Sequence, residues 1–487
     1  MTSETVETGH SLRGILPNQT MQGPALHEAL HLQRQAYLAQ PMPSLAERRA
    51  DLRQLAGFVK ENLEGLVAAV SADYGHRSRH ETLLMEIGPL LASIRHALSH
   101  LRAWMKPQRR GIDRLTYGLG QNRVIPQPLG VVGVIVPWNF PINLSLIPLV
   151  YVFAAGNRAM LKMSENSRHL AQFLIERMPA YFAPDKLQVF DETGGVGIEF
   201  SKLPFDHLLF TGSGATGRAV MAAAAQNLCP VTLELGGKAP AIVCDDFDLR
   251  TAAERILMIK CLNAGQICTT VDHVYLPENS IDAFVQHAQR IVPQRYPGLE
   301  SADYTSISDR RSFLRLTQAL ADARQKGATV IPLLPGPAFD EAGLRIAPHL
   351  VIGAPPECEL MQREIFGPIL PLLPYRELGE VMARINAGPR PLAIYPFSHR
   401  GDRIDLLIER VMSGGVTVND ALLHVGQDDL PFGGVGESGM GHYHGREGFN
   451  TFSKLRPIFK QARWSSVALL APPYGKLADR VLAFLTR

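Results

Sequence analysis

The run Val131-Val132-Gly133-Val134-Ile135-Val136 constrains this chain more than any other stretch. It is apolar throughout and rich in β-branched residues, which is how a strand reads when a parallel sheet buries both of its faces. Pro137-Trp138-Asn139-Phe140-Pro141 closes it, with a polar amide held between two aromatics and two prolines. Ligands of open α/β sheets bind at that C-terminal end of the strands. Two jobs are open to Asn139 there. Its side-chain amide can donate to a developing oxyanion, or it can cap the helix that follows.

Downstream the punctuation repeats. A helix is expected over 142–155, a strand over 158–162 ending in Lys162-Met163-Ser164-Glu165, a helix over 168–178, and strands over 187–190 and 205–210. Strand and helix in alternation mark a doubly wound, Rossmann-like nucleotide-binding sheet. The last of these strands runs into Gly212-Ser213-Gly214-Ala215-Thr216-Gly217 and a helix to about 228. That is the setting a Gly-x-Gly-x-x-Gly phosphate fingerprint requires. Such a fingerprint sends an acid about 20 residues further on to the ribose hydroxyls, and Glu234 stands there.

Glu234-Leu235-Gly236-Gly237-Lys238 has a counterpart in Gly265-Gln266-Ile267-Cys268-Thr269-Thr270. One holds an acid and the other a thiol, each near glycine, where the backbone can turn sharply or approach a ligand closely. A thiolate attacks carbonyl carbon well, and a nearby carboxylate can take the proton of the thiol or of an attacking water. Glu234 therefore has two readings, ribose ligand and base, and Cys268 is set against the plain alternative of a small core filler. Cys261 falls in a predicted helix over 249–261 among apolar neighbours, where a thiol is inert packing; Cys268 follows that helix. Strands over 241–243 and 273–276 and helices over 280–293 and 309–327 make a second α/β domain. After Glu364-Ile365-Phe366-Gly367-Pro368 comes a glycine-rich loop over 431–441. A late strand is expected over 449–452, and a short amphipathic helix over 477–485, either packed on the body, the favoured reading, or anchored at a membrane.

Composition sets the outer bounds. With 487 residues, 46% hydrophobic and 20% charged, the chain can bury a large core. A net charge of +3 without a basic run gives no footprint for nucleic acid. The N-terminus lacks the apolar core of a signal peptide, and no window reaches the roughly 18 apolar residues of a membrane span, so membrane association is not expected. Five cysteines without Cys-x-x-Cys spacing suit free thiols in the cytoplasm. No metal is expected: His442 and His444 flank Tyr443 without further ligands at fitting spacing. Residues 1–23 are expected to be disordered, 24–106 helical, with Leu52, Leu55, Ala56, Val59, Leu63, Leu66 and Val70 on one face, and 107–128 a projecting hairpin or surface loop.

Seven motifs in order carry a resemblance. They are Pro137-Trp138-Asn139-Phe140-Pro141, Lys162-x-Ser164-Glu165, Phe210-Thr211-Gly212-Ser213, Glu234-Leu235-Gly236-Gly237-Lys238, Gly265-Gln266-x-Cys268, Glu364-x-Phe366-Gly367-Pro368 and Pro431-Phe432-Gly433-Gly434. Together they resemble the aldehyde dehydrogenase superfamily from about 25 to 460. The short N-terminus and His442-Tyr443-His444-Gly445 are most similar to the class 3 branch, and 419–452 to coniferyl aldehyde dehydrogenases. The resemblance implies an NAD(P)-binding domain over 24–234, a catalytic domain over 235–430, and a return segment over 431–487 with an oligomerisation strand. It further implies Cys268 as nucleophile, Asn139 and the Cys268 N–H as oxyanion donors, and Glu234 as the base for deacylation. Lys162 and Glu165 would meet the adenine ribose, Glu364 the nicotinamide ribose, and Phe366 the nicotinamide; Pro137, Trp138, Gly212, Ser213, Gly217, Leu235 and Gly236 would line the cofactor path. The expected substrate is a small-molecule aldehyde, the expected assembly a homodimer with its seam at 107–128 and 449–453.

Met163 stands where the superfamily usually has Pro, and Gly214 where it more often has Thr. Glu165 repels a 2′-phosphate, which favours NAD, although class 3 enzymes take NADP as well. Readings from other classes are a cysteine-dependent ester or thioester hydrolase, a CoA-acylating reductase of the same fold, and a binding protein without activity. Lys162, Glu165 and the glycine fingerprint count against the hydrolase, and Glu234 against CoA in place of water.

Overall fold

The computed structural model describes residues 22–465, 467 and 471–486. The disorder expected over 1–23 lies outside these, apart from Gln22 and Gly23, which open a helix over Gln22–Ala39.

Helices Leu45–Glu61, Leu63–Tyr74 and Gly88–Trp104 supply the expected α-rich N-terminal part. Their stripe of Leu52, Leu55, Val59, Leu66 and Val70 is fully buried, and it packs on the helices that flank the first sheet. That sheet has six strands in the order Gly439–Met440, Val231–Leu235, His207–Gly212, Val131–Ile135, Arg158–Lys162, Leu187–Phe190. All pairings are parallel except the short outer one. The chain starts at the Val131–Ile135 strand, winds outward through two strands, then returns to the other side of it. The switch point therefore falls between Val131–Ile135 and His207–Gly212, where the loops after adjacent strands part in opposite directions and leave a crevice. Every residue of the Val131–Ile135 strand is buried, as its sequence demands.

A second sheet of seven strands runs Thr329–Pro332, His349–Ile352, Ile369–Tyr375, His273–Pro277, Pro240–Val243, Ala393–Phe397, Gly415–Val416, with only the first pair antiparallel. Ile267 belongs to the core around this sheet, while its neighbour Cys268 packs against the core of the first. The thiol stands at the seam of the two cores.

The 107–128 segment is a hairpin, Gln108–Arg110 antiparallel to Gln121–Pro128. A third strand, Ser453–Lys460, pairs along all of Gln121–Pro128. The strand expected over 449–452 is instead the end of a helix, Gly445–Thr451. Phe449 and Phe452 are three apart and both fully buried, a spacing that puts two side chains on one helical face and on opposite strand faces. Phe449 meets Trp104 at 5.8 Å and Phe452 meets His207 at 5.3 Å between ring centroids. The terminal helix Lys476–Leu485 forms, but only Ala478 of it is buried. Among the described residues the expected packing on the body is limited to Ala478: Leu477, Leu482, Phe484 and Leu485 are exposed, because amphipathic spacing secures a helix without supplying a surface to receive it.

Candidate active site

Asn139 does not cap a helix. The helix that follows, Asn143–Ala155, starts with no side-chain cap from its own preceding residue. Glu86 does that work from another helix, accepting from the Ile142 N–H at 2.7 Å and the Asn143 N–H at 3.0 Å. Glu86 is in turn paired with Arg77 at 2.7 Å, both side chains fully out of water. A carboxylate can remain buried this way because backbone donors and a guanidinium replace its hydration.

The same guanidinium fixes Asn139. Arg77 Nη1 donates to the Asn139 carbonyl at 3.2 Å, and Tyr74 Oη donates to it at 2.9 Å. Asn263 Nδ2 lies 3.1 Å from that carbonyl and 3.1 Å from the Gln266 carbonyl, bridging the loop of Asn139 to the loop of Cys268. The Asn139 side chain completes the join, its Nδ2 donating to the Gln266 carbonyl at 3.2 Å. An amide nitrogen carries two hydrogens, so one remains for a ligand.

The backbone that delivers Cys268 is strained. Asn263, Ala264 and Gly265 have φ of 49°, 49° and 72° in succession. For residues with a β-carbon this costs on the order of 1 kcal/mol each, and it persists only where the surroundings over-determine it. Here they do. The Asn263 N–H donates to Glu81 at 3.1 Å, and Gln266 Nε2 donates to the Ser306 carbonyl at 3.0 Å. A β-carbon on Gly265 would collide with the Gly367 carbonyl, so glycine is obligatory there.

Lys238 holds the third loop. Its ammonium donates to Asp272 at 2.6 Å and to the carbonyls of Leu360 and Arg363 at 2.8 and 2.9 Å. Asp272 also accepts from the Ile365 N–H at 2.9 Å. Glu364 is thereby fixed beside Gly236, where a β-carbon would run into its carboxylate. Phe366, with φ of 49°, sets its ring edge-on to Trp138 at 5.5 Å.

These loops meet in one cleft of about 210 Å³, lined by Pro137, Trp138, Asn139, Thr211, Gly212, Ser213, Glu234, Leu235, Gly236, Cys268, Glu364 and Phe366. It opens at the switch point of the first sheet. Eleven of the fourteen residues singled out in the sequence are among its lining. The other three are elsewhere. Gly217 is one turn into the helix Gly214–Ala225, with room for no more than hydrogen beside Leu235. Lys162 ends its strand in an ion pair with Glu192, and Glu165 is exposed on the loop beyond. Tyr74, Arg77, Glu81, Glu86, Glu192 and Asn263 were not found by sequence reasoning.

The electrostatics are those of a closed, acidic site. Glu234 is 3% exposed, and neither of its carboxylate oxygens has a partner. Burial holds its carboxyl well above the usual range. Glu364 is pushed up to about 8, by burial first and by Asp272 next. Burial, then Glu364 and Glu234, push the Cys268 thiol up to about 12. Burial pushes Cys261 to about 12 as well, so acidity does not separate the two thiols. Access does: Cys268 lines the cleft and Cys261 is 1% exposed in its helix.

Thr211 Oγ1, Glu364 Oε1 and both oxygens of Glu234 are buried, unpaired and gathered in this cleft. Buried polar atoms are rarely left so unless a ligand or water completes them. A dinucleotide with ribose hydroxyls and a carboxamide fits that set, and Ser213, which caps the helix Gly214–Ala225, puts a helix N-terminus at its rim.

Comparison with known proteins agrees. The "Probable coniferyl aldehyde dehydrogenase" of Pseudomonas aeruginosa is 46% identical, over 92% of this chain and 94% of its own. The "Aldehyde dehydrogenase family 3 member A2" of Pongo abelii is 38% identical, over 87% of this chain and 86% of its own. Among solved structures, the substrate-bound state of Staphylococcus aureus AldH superposes with a TM-score of 0.89 at 32% identity, covering 94% of this chain and 99% of that one. The profile of the aldehyde dehydrogenase family matches residues 20–458, a span that takes in every residue of the cleft. This protein belongs to the aldehyde dehydrogenase family and is an oxidoreductase that acts on aldehydes with NAD(P).

Proposed function

We propose that the protein oxidises an aromatic aldehyde, coniferyl aldehyde being the leading substrate, to its carboxylic acid through a covalent intermediate on Cys268. The observation that carries this reading is the convergence of Cys268, Glu234 and Asn139 on one cleft at the switch point of the first sheet. The Cys268 thiol passes its proton by way of the Glu234 carboxylate to solvent, the resulting thiolate adds to the aldehyde carbon, and the carbonyl π pair moves to oxygen. The free hydrogen of the Asn139 amide, in a loop locked by Tyr74, Arg77 and Asn263, stabilises that oxyanion. Glu364, Phe366, Ser213, Lys162 and Glu165 would hold a dinucleotide, which would supply the hydride acceptor. The oxyanion re-forms its carbonyl as the C–H bond of the former aldehyde carbon breaks and the hydrogen leaves as hydride, so that Cys268 is left as a thioester. Glu234 takes a proton from water, the resulting hydroxide attacks the acyl carbon, the C–S bond breaks, and the acid leaves.

The aromatic preference is supported by the name of the Pseudomonas aeruginosa relative and by the Trp138 and Phe366 rings at the cleft. The exposed carboxylate of Glu165 favours NAD over NADP. A homodimer is supported by Ser453–Lys460, which among the described residues is paired along one edge only and exposes Leu455 and Phe459. Five unpaired cysteines suit the cytoplasm.

Absorbance of reduced nicotinamide, followed with coniferyl aldehyde and with an aliphatic aldehyde of similar size, tests the reading. The native protein turns over the aromatic substrate with a kcat/KM at least about tenfold higher, which corresponds to about 1.4 kcal/mol. Cys268→Ala abolishes turnover and leaves NAD binding unchanged in calorimetry. Turnover surviving in Cys268→Ala would remove the covalent mechanism.

A further inference from the structure

The strand Arg158–Lys162 pairs in parallel with Leu187–Phe190, with Lys162 level with Phe190. The pairing runs one residue further, since the Met163 N–H donates to the Phe190 carbonyl at 2.8 Å. The chain then leaves the sheet as Asp191-Glu192-Thr193-Gly194-Gly195-Val196-Gly197. Gly194 and Gly195 have φ of 64° and 79°, a left-handed turn that bends the loop back over the strand ends. Its result is an ion pair between Glu192 and the Lys162 ammonium, with side chains 19% and 8% exposed. The Gly197 N–H donates to the same carboxylate at 3.1 Å. A β-carbon at 197 would stand 2.8 Å from Glu192 Oε2 and 3.0 Å from Lys162 Nζ, so the glycine lets the pair form against the backbone.

An unpaired ammonium at this strand end would be the natural partner for a phosphate on an adenine ribose. Here it is already engaged. A 2′-phosphate brings about −1.5 to −2 charges at neutral pH. It would meet an ammonium already paired with the Glu192 carboxylate, with a second, exposed carboxylate at Glu165 three residues further along the chain. Uncharged 2′- and 3′-hydroxyls suffer no such repulsion, and a carboxylate accepts hydrogen bonds from them.

We propose that Glu192 sets the dinucleotide preference, by occupying the Lys162 ammonium and so excluding a 2′-phosphate. This rests on the reading that Lys162 lies against the adenine ribose. Glu192 acts through the lysine's charge and does not touch the reacting atoms. Freeing the lysine admits NADP.

Calorimetric dissociation constants of NAD and NADP, measured on the full chain without aldehyde, test this. In Glu192→Gln the NADP constant tightens about tenfold, the scale of one charge-assisted contact, while the NAD constant stays within about twofold. Added salt erases the gain. The double variant Glu192→Gln, Lys162→Met loses it too, because the gain runs through the lysine. Gln keeps the shape and the bond from Gly197, and an unchanged melting temperature certifies the fold. If Glu192→Gln leaves NADP binding unchanged while Lys162→Met weakens NAD, the role of Glu192 is overturned and the binding mode stands. If Lys162→Met alters neither nucleotide, the binding mode itself fails.

Discussion

At the scale of the residue, the chemistry of this cleft turns on two acids and a thiol whose pKa values burial raises. Cys268 is pushed up to about 12 by burial, then by Glu364 and Glu234. A thiol with a raised pKa is mostly neutral near pH 7, and its thiolate fraction grows tenfold per pH unit below that pKa. In the absence of cofactor, alkylation of Cys268 by iodoacetamide should therefore climb with a slope near one from about pH 7 to 10, without a plateau. Glu234→Gln removes one of the negative neighbours, so alkylation should be faster than in the native protein at each alkaline pH. A plateau near pH 7 would show a thiolate already formed and a different source of activation. The cleft-lining residues were legible in the sequence because glycine, proline and aromatic punctuation marks them. Their supporters were not, because their contacts join helices far apart in the chain. One signal existed: the buried series Leu90, Ile94, Ala97, Leu101, continued backwards by four, lands on Glu86, an acid on an inward face.

At the scale of the element, the strained turn at 263–265 and the proline-bounded loop at 137–141 are two halves of one device. Each is held by the other through Asn263, Gln266 and the Asn139 amide. Tyr74→Phe removes one donor to the Asn139 carbonyl and one acceptor for Asn263. It should cost about 1–2 kcal/mol in chemical denaturation. It should lower kcat while leaving the NAD dissociation constant unchanged, since Tyr74 lies outside the cleft lining. Unaltered kcat would mean that the oxyanion donor does not depend on this brace. Four of the five parallel strands of the first sheet were readable from their apolar runs, with ends within a residue or two; Val231–Leu235 was not assigned. Ser453–Lys460 was not. Seven of its eight residues are exposed to some degree, so it lacks the apolar signal of a buried strand. The spacing of Phe449 and Phe452 drew the strand too early.

At the scale of the whole molecule, a doubly wound sheet presents its switch point to a second α/β unit, and a small three-stranded sheet projects from the first. The order of the motifs carried that architecture, because four of the seven end adjacent strands of the first sheet at the same rim. The projecting sheet has an open edge at Ser453–Lys460 with Leu455 and Phe459 uncovered. Native mass spectrometry should find a dimer, and Leu455→Asp with Phe459→Asp should shift it toward monomer at micromolar concentration. An unchanged dimer would put the seam elsewhere, with the exposed face of Lys476–Leu485 next in line.

The central claim is that Glu234 is the base of deacylation rather than a ligand of the cofactor, and a rapid-mixing experiment addresses it most directly. Glu234→Gln is mixed with excess NAD and coniferyl aldehyde, reduced nicotinamide is followed by absorbance, and the quenched protein is weighed. The account predicts a burst of one equivalent per active site, then a stall, with the acyl group found on Cys268. Steady turnover at the native rate, or loss of NAD binding with no burst, would contradict it.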